Sequence, residues 1–512
     1  SCGPSTAINV HFLFIKFNSK KMRLKLTSLL VLLFGFFTLN SYAQVNVGAT
    51  PYTTLKAAFD AINVGTHTGA ITITISGNTT ETASAVLDSS GNGTGSNYTS
   101  VSIQPTGGAT RTISGAIVGH LVVLNGADNV NIDGLNTGGN ALEFRNSGTG
   151  ASSTIRFIAD ATNNTVTNCT ITGSTTSFGV VYFATGSVNG NDGNIISNNN
   201  ITAEGVNYPT ACIYSLGSSS VLDNSGNTVS GNNIYDFFSA SAVSNGMNLT
   251  TGSSGWTISN NKFYQTASRT YTTANTHNAI TASVGTGYTV TGNTIGYATS
   301  GGTGTYTMLG TIATRFIGIN LAISTGSTSS VQGNTVAAIS LNTSSGATTT
   351  NGIICGINIT GTGNVNIGNV TPNTIGATTG TNSIVGTSTT SGGLVVGINT
   401  STTGTVLIQN NTFGAMASSG ITATIAGSVA GINVSGVAAS MTITGNTIGN
   451  GTTDNMRGGT TGLTTGNSLV TGIALVSIST TCNVTNNTIQ NLTSYGTGTT
   501  GRAMGVFNTG TT

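Results

Sequence analysis

The phrase YTVTGNTIG, residues 288–296, returns almost unchanged as MTITGNTIG, residues 441–449. Neither copy holds a charged side chain or an obvious reactive group, so chemistry at these residues does not explain the repetition. In both copies apolar residues alternate with threonine up to a Gly-Asn pair. This period of two predicts a short strand with one buried face, and the Gly-Asn pair predicts a bend after it.

The Asn of this pair marks a repeat that extends over most of the chain. Other phrases, such as ISNNKF at 258–263 and VQGNTV at 331–336, align on the same position. Successive copies are 29 to 41 residues apart, a period typical of stacked solenoid repeats. The aligned positions are Cys169, which replaces the Asn, and then Asn199, Asn232, Asn261, Asn293, Asn334, Asn373, Asn411, Asn446 and Asn487.

A second phrase, GIN or a close variant, precedes this Asn by about 15 residues in many repeats. Each repeat unit is therefore predicted to hold three strands: one in the GIN phrase, one before the Asn and a brief one after it. A segment rich in Thr, Gly and Ser follows, and we interpret it as a surface loop, where variation in length costs little free energy. The GIN-type phrases begin at Gly246, Gly318, Gly356, Gly397, Gly431 and Gly472.

Stacking of the units explains both the Asn and the scarcity of charge. Positions −5, −3 and +2 from the Asn are apolar in most copies, as in Trp256, Ile258 and Phe263. Units stacked about 4.8 Å apart bury such faces in one continuous core. Equivalent Asn amides then lie above one another and can form a hydrogen-bonded ladder, and Asn also tolerates the unusual φ and ψ of a bend. Stacked charges would repel, and only 5% of the residues are charged.

With these repeats, the chain from Asn125 to Thr512 resembles the right-handed parallel β-helix proteins, which have three short sheets and an asparagine ladder. The resemblance implies an all-β solenoid of about 10–13 coils. That fold family includes pectate-lyase-like enzymes, tailspikes, autotransporter passengers and adhesin-like surface proteins. The segment TLKAAFDAIN places Leu55, Ala58, Phe59 and Ile62 on one face, which predicts an amphipathic helix that caps the N-terminal end.

The chain divides into four predicted segments. Residues 1–21 are interpreted as a non-native upstream leader. Residues 22–43 have a basic start, an apolar run and a small-residue cleavage site, which indicates a bacterial secretory signal peptide. Residues 44–125 are predicted to hold the N-terminal cap and the first strands. Residues 126–512 are predicted to form the parallel β-helix, with a truncated C-terminus.

Composition narrows the possible partners. The net charge is +2 and no run of Lys or Arg follows residue 25, so nucleic acid is not an expected partner. We expect a secreted or cell-surface protein with no membrane span after signal cleavage. Surface glycans or other polysaccharides are the expected partners.

The best candidate for an active cluster is the charged quartet Glu143, Arg145, Arg156 and Asp160. Enzymes of the resembled fold that cleave polysaccharides use carboxylates and a Lys or Arg on the outer face of a sheet. Glu143 and Arg145 flank Phe144 and should share one outer face. The alternative is a set of solvated ion pairs that contribute little free energy.

No cofactor or metal site is predicted, because His67, His120 and His277 are scattered and the repeats lack Asp at calcium-binding positions. The cysteines, of which Cys2 lies in the leader, allow two alternatives. In the first alternative each cysteine is a single thiol that fills a core position. In the second, Cys169 and Cys212 form a disulfide between adjacent coils.

Two outward stripes are further candidates for ligand binding. One is a polar stripe on the GIN strands, which either binds a ligand or is ordinary solvated sheet surface. The other is a threonine stripe that includes Thr289 and Thr442, as in β-helical ice-binding proteins, although Gln332, Gln409 and Asn483 interrupt it. The polar stripe consists of Asn248, Asn320, Asn358, Asn399 and Asn433.

The sequence therefore favours a structural, adhesin-like role over an enzymatic one. In this interpretation the solenoid displays loops rich in Thr, Ser and Asn at the cell surface or in the matrix. The second hypothesis is a carbohydrate-binding or polysaccharide-degrading protein of the pectate-lyase-like type, and ice binding is the third.

Overall fold

A computed structural model describes residues 44–91, 95–219, 221–347, 350–390, 392–477, 481–499 and 501–509. The predicted leader and signal peptide, with Cys2, lie outside these residues. The described chain folds into a parallel β-helix, as the repeat pattern predicts. Its three long sheets are named A, B and C in the order in which the chain visits them.

Sheet A has fifteen strands, of which the first two pair antiparallel at its edge. In spatial order they are Thr50–Tyr52, Val45–Val47, Thr68–Ile75, Asn97–Pro105, Val130–Asp133, Thr165–Thr167, Ile195–Ser197, Thr228–Ser230, Thr257–Ser259, Thr289–Thr291, Ser329–Gln332, Val365–Ile367, Thr405–Gln409, Ser440–Thr444 and Cys482–Thr485.

Sheet B has thirteen parallel strands, each following a strand of sheet A in the chain. They are Thr79–Glu81, Thr110–Gly115, Ala141–Gly150, Cys169–Thr175, Asn200–Ala203, Asn233–Tyr235, Lys262–Tyr264, Thr294–Gly296, Thr335–Ala337, Thr374–Gly376, Thr412–Gly414, Thr447–Ile448 and Thr488–Ile489.

Sheet C also has thirteen parallel strands and contains the GIN phrases. They are Ala85–Asp88, His120–Asn125, Ser153–Ile158, Gly179–Phe183, Ala211–Ser215, Asn245–Leu249, Thr276–Ala282, Arg315–Ile323, Ile354–Gly361, Leu394–Thr400, Ser428–Val434, Leu469–Leu475 and Arg502–Asn508.

One strand from each sheet makes one coil, and the coils are numbered from the N-terminus. Coils 1 and 2 span Thr68–Asp88 and Asn97–Asn125, so two complete coils precede the predicted start of the solenoid at residue 126. The predicted start was too late because coil 2 lacks the Asn phrase, and the copy in coil 1, ISGNT at 75–79, has Thr80 in place of the apolar residue at +2.

A fourth sheet, sheet D, was not predicted. Seven of the segments interpreted as surface loops contain a strand between sheets B and C. In these segments buried apolar residues, such as Ile339 and Leu341, alternate with outward residues. The many threonines and serines around them made this alternation hard to recognise in the sequence. The strands are Arg269–Thr270, Tyr306–Leu309, Ile339–Thr343, Ile384–Ser388, Met416–Gly420, Met456–Gly458 and Leu492–Ser494, and a separate pair joins Asn224–Ser225 to Ser253–Ser254.

The predicted N-terminal helix forms as α1, Leu55–Asn63. Thr54 caps it by accepting a hydrogen bond from the Ala57 N–H at 3.1 Å, and its four predicted apolar residues are buried. The buried Glu81 carboxylate accepts hydrogen bonds from the Leu55 and Lys56 N–H groups, where the helix dipole favours negative charge. The helix thereby packs onto the first coil.

The core follows the predicted positions. Apolar residues at −5, −3 and +2, such as Trp256, Ile258 and Phe263, are fully buried in most coils and partly buried in the last coil. The glycine of the GIN phrase also has a packing role. A Cβ at Gly397 would lie 2.4 Å from Cδ1 of Phe413 and 2.5 Å from the Gly431 oxygen, so a larger residue does not fit between sheets B and C.

The asparagine ladder lies at the corner between sheets A and B, as predicted. Asn261 donates from both its backbone N–H and its Nδ2 to Oδ1 of Asn293, each at 3.0 Å, and from Nδ2 to the Val229 oxygen at 2.8 Å. The same pattern runs from Asn199 to Asn487, and Cys169 joins it through its backbone N–H. Each amide therefore replaces water for backbone groups that the bend leaves unpaired.

The bend itself is not made by the ladder residue. The left-handed φ belongs to the residue before it, such as Asn260 at 56° and Gly445 at +67°. This corrects the expectation that the ladder Asn absorbs the unusual backbone angles. It also explains why Gly or Asn so often precedes the ladder Asn, because these residues adopt left-handed angles at least cost.

Candidate functional site

The charged quartet does not form one cluster. Glu143 and Arg145 lie on the outer face of sheet B on either side of buried Phe144, as predicted. Arg156 lies on sheet C, and Asp160 lies at the corner that follows it. These positions belong to different walls of the solenoid, so the four side chains do not share a substrate groove.

Arg145 instead pairs with Glu204, a residue that the sequence analysis did not single out. Their Nη2 and Oε1 atoms are 2.5 Å apart, and Thr172 also donates to the Glu204 carboxylate. Burial acts to raise the pKa of Glu204, but the hydrogen bonds from Arg145 and Thr172 outweigh it and hold this pKa below its usual value. The partners are 59 positions apart in the chain and lie two coils apart, so local sequence did not indicate this pair.

These two side chains border a polar cleft of about 550 Å³ on the outer face of sheet B. Hydroxyl and amide side chains such as Thr112, Ser114 and Asn78 line the rest of the cleft. Glu143 lies beside it and accepts a hydrogen bond from the Thr112 hydroxyl at 3.2 Å. The charged groups here are already engaged with protein partners.

Asp160 stabilises a neighbouring turn. Its carboxylate accepts hydrogen bonds from the backbone N–H groups of the turn 187–190. Burial acts to raise the pKa of Asp160, whereas these N–H donors lower it, and the net effect is a lowered pKa. Asp160 therefore fixes a turn between neighbouring coils.

The cysteines of the described chain are unpaired. Cys169, Cys212 and Cys355 are buried free thiols and Cys482 is partly buried, so the Cys169–Cys212 disulfide does not form. Burial raises the pKa of the three buried thiols, which keeps them protonated and unreactive. Among the described residues, no three His, Cys, Asp or Glu side chains lie close enough together to hold a metal ion.

The asparagine stripe on sheet C is not a solvated surface in its later coils, contrary to the alternative considered above. Asn358, Asn399 and Asn433 have relative exposures of 3%, 2% and 4%. Nδ2 of Asn399 donates to Oδ1 of Asn358, and Nδ2 of Asn433 donates to Oδ1 of Asn399, each at 2.8 Å. Asn358 likewise donates to Asn320, so these four residues form a second amide ladder and bind one another, whereas half-buried Asn248 lies outside it.

This part of sheet C is covered from outside. A small apolar cluster, Ile317, Cys355, Leu394, Val396 and Ala430, is buried there separately from the main core. Nδ2 of Asn433 reaches across to the Thr350 oxygen at 2.9 Å, which ties the segment near Thr350 to this face. Local sequence does not indicate this contact, because its partners are 83 positions apart in the chain.

Beyond Asn433 the same face becomes apolar. Ala474 follows Asn433 in the strand register and Phe507 follows Ala474. The two line a cleft of about 610 Å³ together with Leu469 and Val476. The Oδ1 atom of Asn433 is thus the last acceptor of this ladder, because the next coil supplies no amide.

An aromatic cluster on the outer face of sheet C was missed by sequence analysis. We call it the aromatic platform; it consists of His120, Arg156, Phe178, Tyr182 and Tyr214. Phe178 stacks on Tyr182 with ring centroids 4.4 Å apart and an interplanar angle of 7°, and Tyr214 lies 5.6 Å from Tyr182. The sequence pattern that could have indicated this cluster is weak, because its residues are spread over four coils. Phe178 in addition lies in a turn, where strand alternation does not predict the direction of a side chain.

Arg156 is the positive charge of the platform. Its Cζ lies 5.5 Å from the centre of the Tyr182 ring. Burial, followed by the nearby charge of Arg156, lowers the pKa of His120 to about 4, so this imidazole is neutral at pH 7. His120 holds its orientation through Nδ1, which is 2.7 Å from Oγ of Ser153.

Comparisons with known proteins add no function: no family model, no curated protein and no solved structure matches the chain. In the described part of the chain, no helix has the length and apolarity needed to cross a membrane.

Proposed function

We propose that this protein is an exported, adhesin-like structural protein. In this proposal a stiff β-helix presents neutral polar side chains and loops at the cell surface or in the matrix, where they contact glycans. Many weak contacts along one solenoid give useful avidity even when each contact is weak.

The main support is the pairing of polar groups along the solenoid axis. The corner ladder joins successive coils from coil 4 to coil 13, and each Asn from coil 5 to coil 11 adds buried amide hydrogen bonds. Buried networks that are fully paired stiffen a fold. Such a scaffold holds its surface in a fixed arrangement, as repeated binding to an extended ligand requires.

The position of the charged quartet favours a scaffold over an enzyme. A pair of carboxylates, or a carboxylate with a base, must face one substrate bond to cleave it. Arg156 and Asp160 lie away from sheet B, and Asp160 is occupied by four backbone donors. Ice binding has less support than either of these functions, because the threonine stripe is interrupted. Along sheet A, Thr291 is in register with Gln332, and Leu407 is in register with Thr442.

The test is binding of the purified full chain to a glycan array and to intact bacterial cells, with polysaccharide cleavage assayed in parallel with and without Ca²⁺. We expect binding without cleavage. The absence of binding to every glycan and every cell type would contradict the proposal.

A second candidate, a polysaccharide-degrading enzyme, is supported by the polar cleft beside Arg145 and Glu204. It predicts cleavage that is lost in both Glu143→Gln and Glu204→Gln, with the fold retained by circular dichroism. Such a result would replace the scaffold proposal with an enzymatic one.

A further inference from the structure

The aromatic platform borders a cleft whose size suits a single ring. The cleft measures about 310 Å³, and Phe178 and Tyr214 are its aromatic walls. Both rings are half-buried, so each is held in place by its neighbours and still contacts the cleft. Hydroxyl and amide residues, such as Thr176, Ser177, Asn245 and Asn248, line the rest of the cleft.

This lining combines ring faces with hydroxyl and amide groups. The faces of Phe and Tyr rings attract C–H groups and other flat surfaces, and the hydroxyl and amide groups of the rim can donate and accept hydrogen bonds. A sugar ring offers both kinds of surface, because its C–H groups lie on its faces and its hydroxyl groups lie around its edge.

Arg156 adds a charge that the protein leaves unbalanced. Among the described residues Arg156 belongs to no ion pair, and its Nε is buried without a hydrogen-bond partner. Arg156, Tyr182 and Tyr214 occupy successive strands in register, about 4.8 Å apart. A polymer that lies along the solenoid axis can therefore stack one unit near Tyr214 and place an anionic group of another unit near Arg156.

Other partners fit this surface less well. A stable protein interface buries at least about 1,200 Å² in total, and a cleft for one ring is too small to anchor it. Single-stranded nucleic acid also stacks on aromatic side chains, but it requires several Lys or Arg side chains along its phosphates. Arg156 is the only cation of the platform.

We propose that the aromatic platform binds an anionic polysaccharide, with one sugar ring in the cleft against Phe178 and Tyr214 and a carboxylate or sulfate of the polymer on Arg156. This inference rests on the proposed function and names the ligand class that one face of the scaffold takes.

The test measures the affinity of the full chain for alginate and for dextran sulfate by affinity gel electrophoresis. Neutral dextran and an oligothymidylate serve as comparison ligands. We expect binding to at least one anionic polysaccharide, which Phe178→Ala and Tyr214→Ala weaken at least about tenfold. Arg156→Gln is expected to weaken binding of the anionic polymer by a similar factor and to leave any binding of neutral dextran unchanged.

Tyr235→Ala is the matched control. Tyr235 stacks on Tyr264 at 4.8 Å and 6° on sheet B, so the variant removes a similar ring from another wall. Val243→Trp is a second variant that keeps the platform intact and fills the cleft from an exposed loop residue, 42% exposed. It is expected to block binding even if an alanine variant fails to fold.

The outcomes separate the two proposals. Glycan or cell binding that every platform variant retains would overturn the platform proposal and leave the adhesin-like role standing. Binding of the oligothymidylate alone, or of neither anionic polymer, would also overturn the platform proposal. Binding of no glycan and no cell by the wild-type chain would overturn both.

Discussion

One row of residues on the outer face of sheet C has two different characters along the solenoid. In coils 3 to 5 it consists of Arg156, Tyr182 and Tyr214, and in coils 9 to 11 it consists of Asn358, Asn399 and Asn433. The backbone register is the same in both parts. The first part leaves the Arg156 charge and the half-buried Tyr214 ring accessible, although Tyr182 is buried under Phe178, whereas the second part pairs its amides with one another and is covered.

This difference separates a part of the row that pairs with itself from a part whose side chains are unlike one another. Equivalent amides stacked at the strand spacing bind each other, so a run of Asn consumes its own hydrogen-bonding capacity. A run of unlike side chains cannot do so, and it leaves groups free for a ligand. Three variants test this distinction and a fourth tests a buried histidine, from the largest expected effect on stability to the smallest.

Removal of a corner amide should have the largest effect. In Asn293→Ala the Asn261 amide loses its acceptor, and the Ile258 oxygen loses its donor. Buried groups left unpaired cost about 1–3 kcal/mol each, so we expect a loss of about 2–4 kcal/mol in the free energy of unfolding. Urea unfolding measures it, and exposed Asn131→Ala on sheet A is the control. Equal losses in the two variants would contradict a stabilising ladder.

A buried histidine should make stability depend on pH. Burial lowers the pKa of His277 to about 4, below its unfolded value of 6.5. The unfolded chain therefore binds the proton first, and the stability that is complete above pH 6.5 falls as the pH drops to about 4, by at most about 3 kcal/mol from this residue. Unfolding of wild type and His277→Gln at pH 7.5 and 4.5 checks this. An unchanged pH dependence in the variant would exclude His277 as the source.

The second amide ladder should contribute less than the corner ladder. In Asn399→Ala, Asn433 loses its acceptor and Asn358 loses its donor, and we expect a loss of about 1–3 kcal/mol. Asn248→Ala is the matched control in the same row, because Asn248 is only half-buried beside the platform cleft. We expect less than about 1 kcal/mol for this control. A larger loss for Asn248→Ala than for Asn399→Ala would remove the distinction between the two parts of the row.

The smallest effect on stability is expected at the platform. Tyr214 is half-buried and contacts Phe178 and Tyr182 only at 6.1 and 5.6 Å between ring centres. Tyr214→Ala should therefore change the free energy of unfolding by less than about 1 kcal/mol, although it removes ligand contact. A loss comparable with that of Asn293→Ala would indicate that the platform is part of the structural core.

Much of the fold was predictable because it is periodic. The alternation around each Asn predicted the inward residues, and the repeat spacing predicted the stacking and the corner ladder. The first strands were predicted, but not that they complete coils 1 and 2, because coil 2 lacks the Asn phrase and the copy in coil 1 has Thr80 in place of an apolar residue. Sheet D was not predicted, because it lies in threonine-rich segments whose buried positions differ little from exposed ones.

The candidate site was predictable only in part. Glu143 and Arg145 were correctly placed on one outer face, since alternation in a single strand decides this. Glu204 and Phe178 were missed, because one is two coils away from Arg145 and the other reaches the platform from a turn. Their positions depend on register between coils, which local sequence does not encode.

The sequence by itself determined the strand pattern, the inward face, the corner amides and the capping helix, since each follows from local alternation or from a repeated position. Only the tertiary structure decided which outer faces are covered and which are open. The length of each intervening segment, and what that segment packs against, determine whether an outward side chain such as Asn399 or Tyr214 meets protein or a ligand.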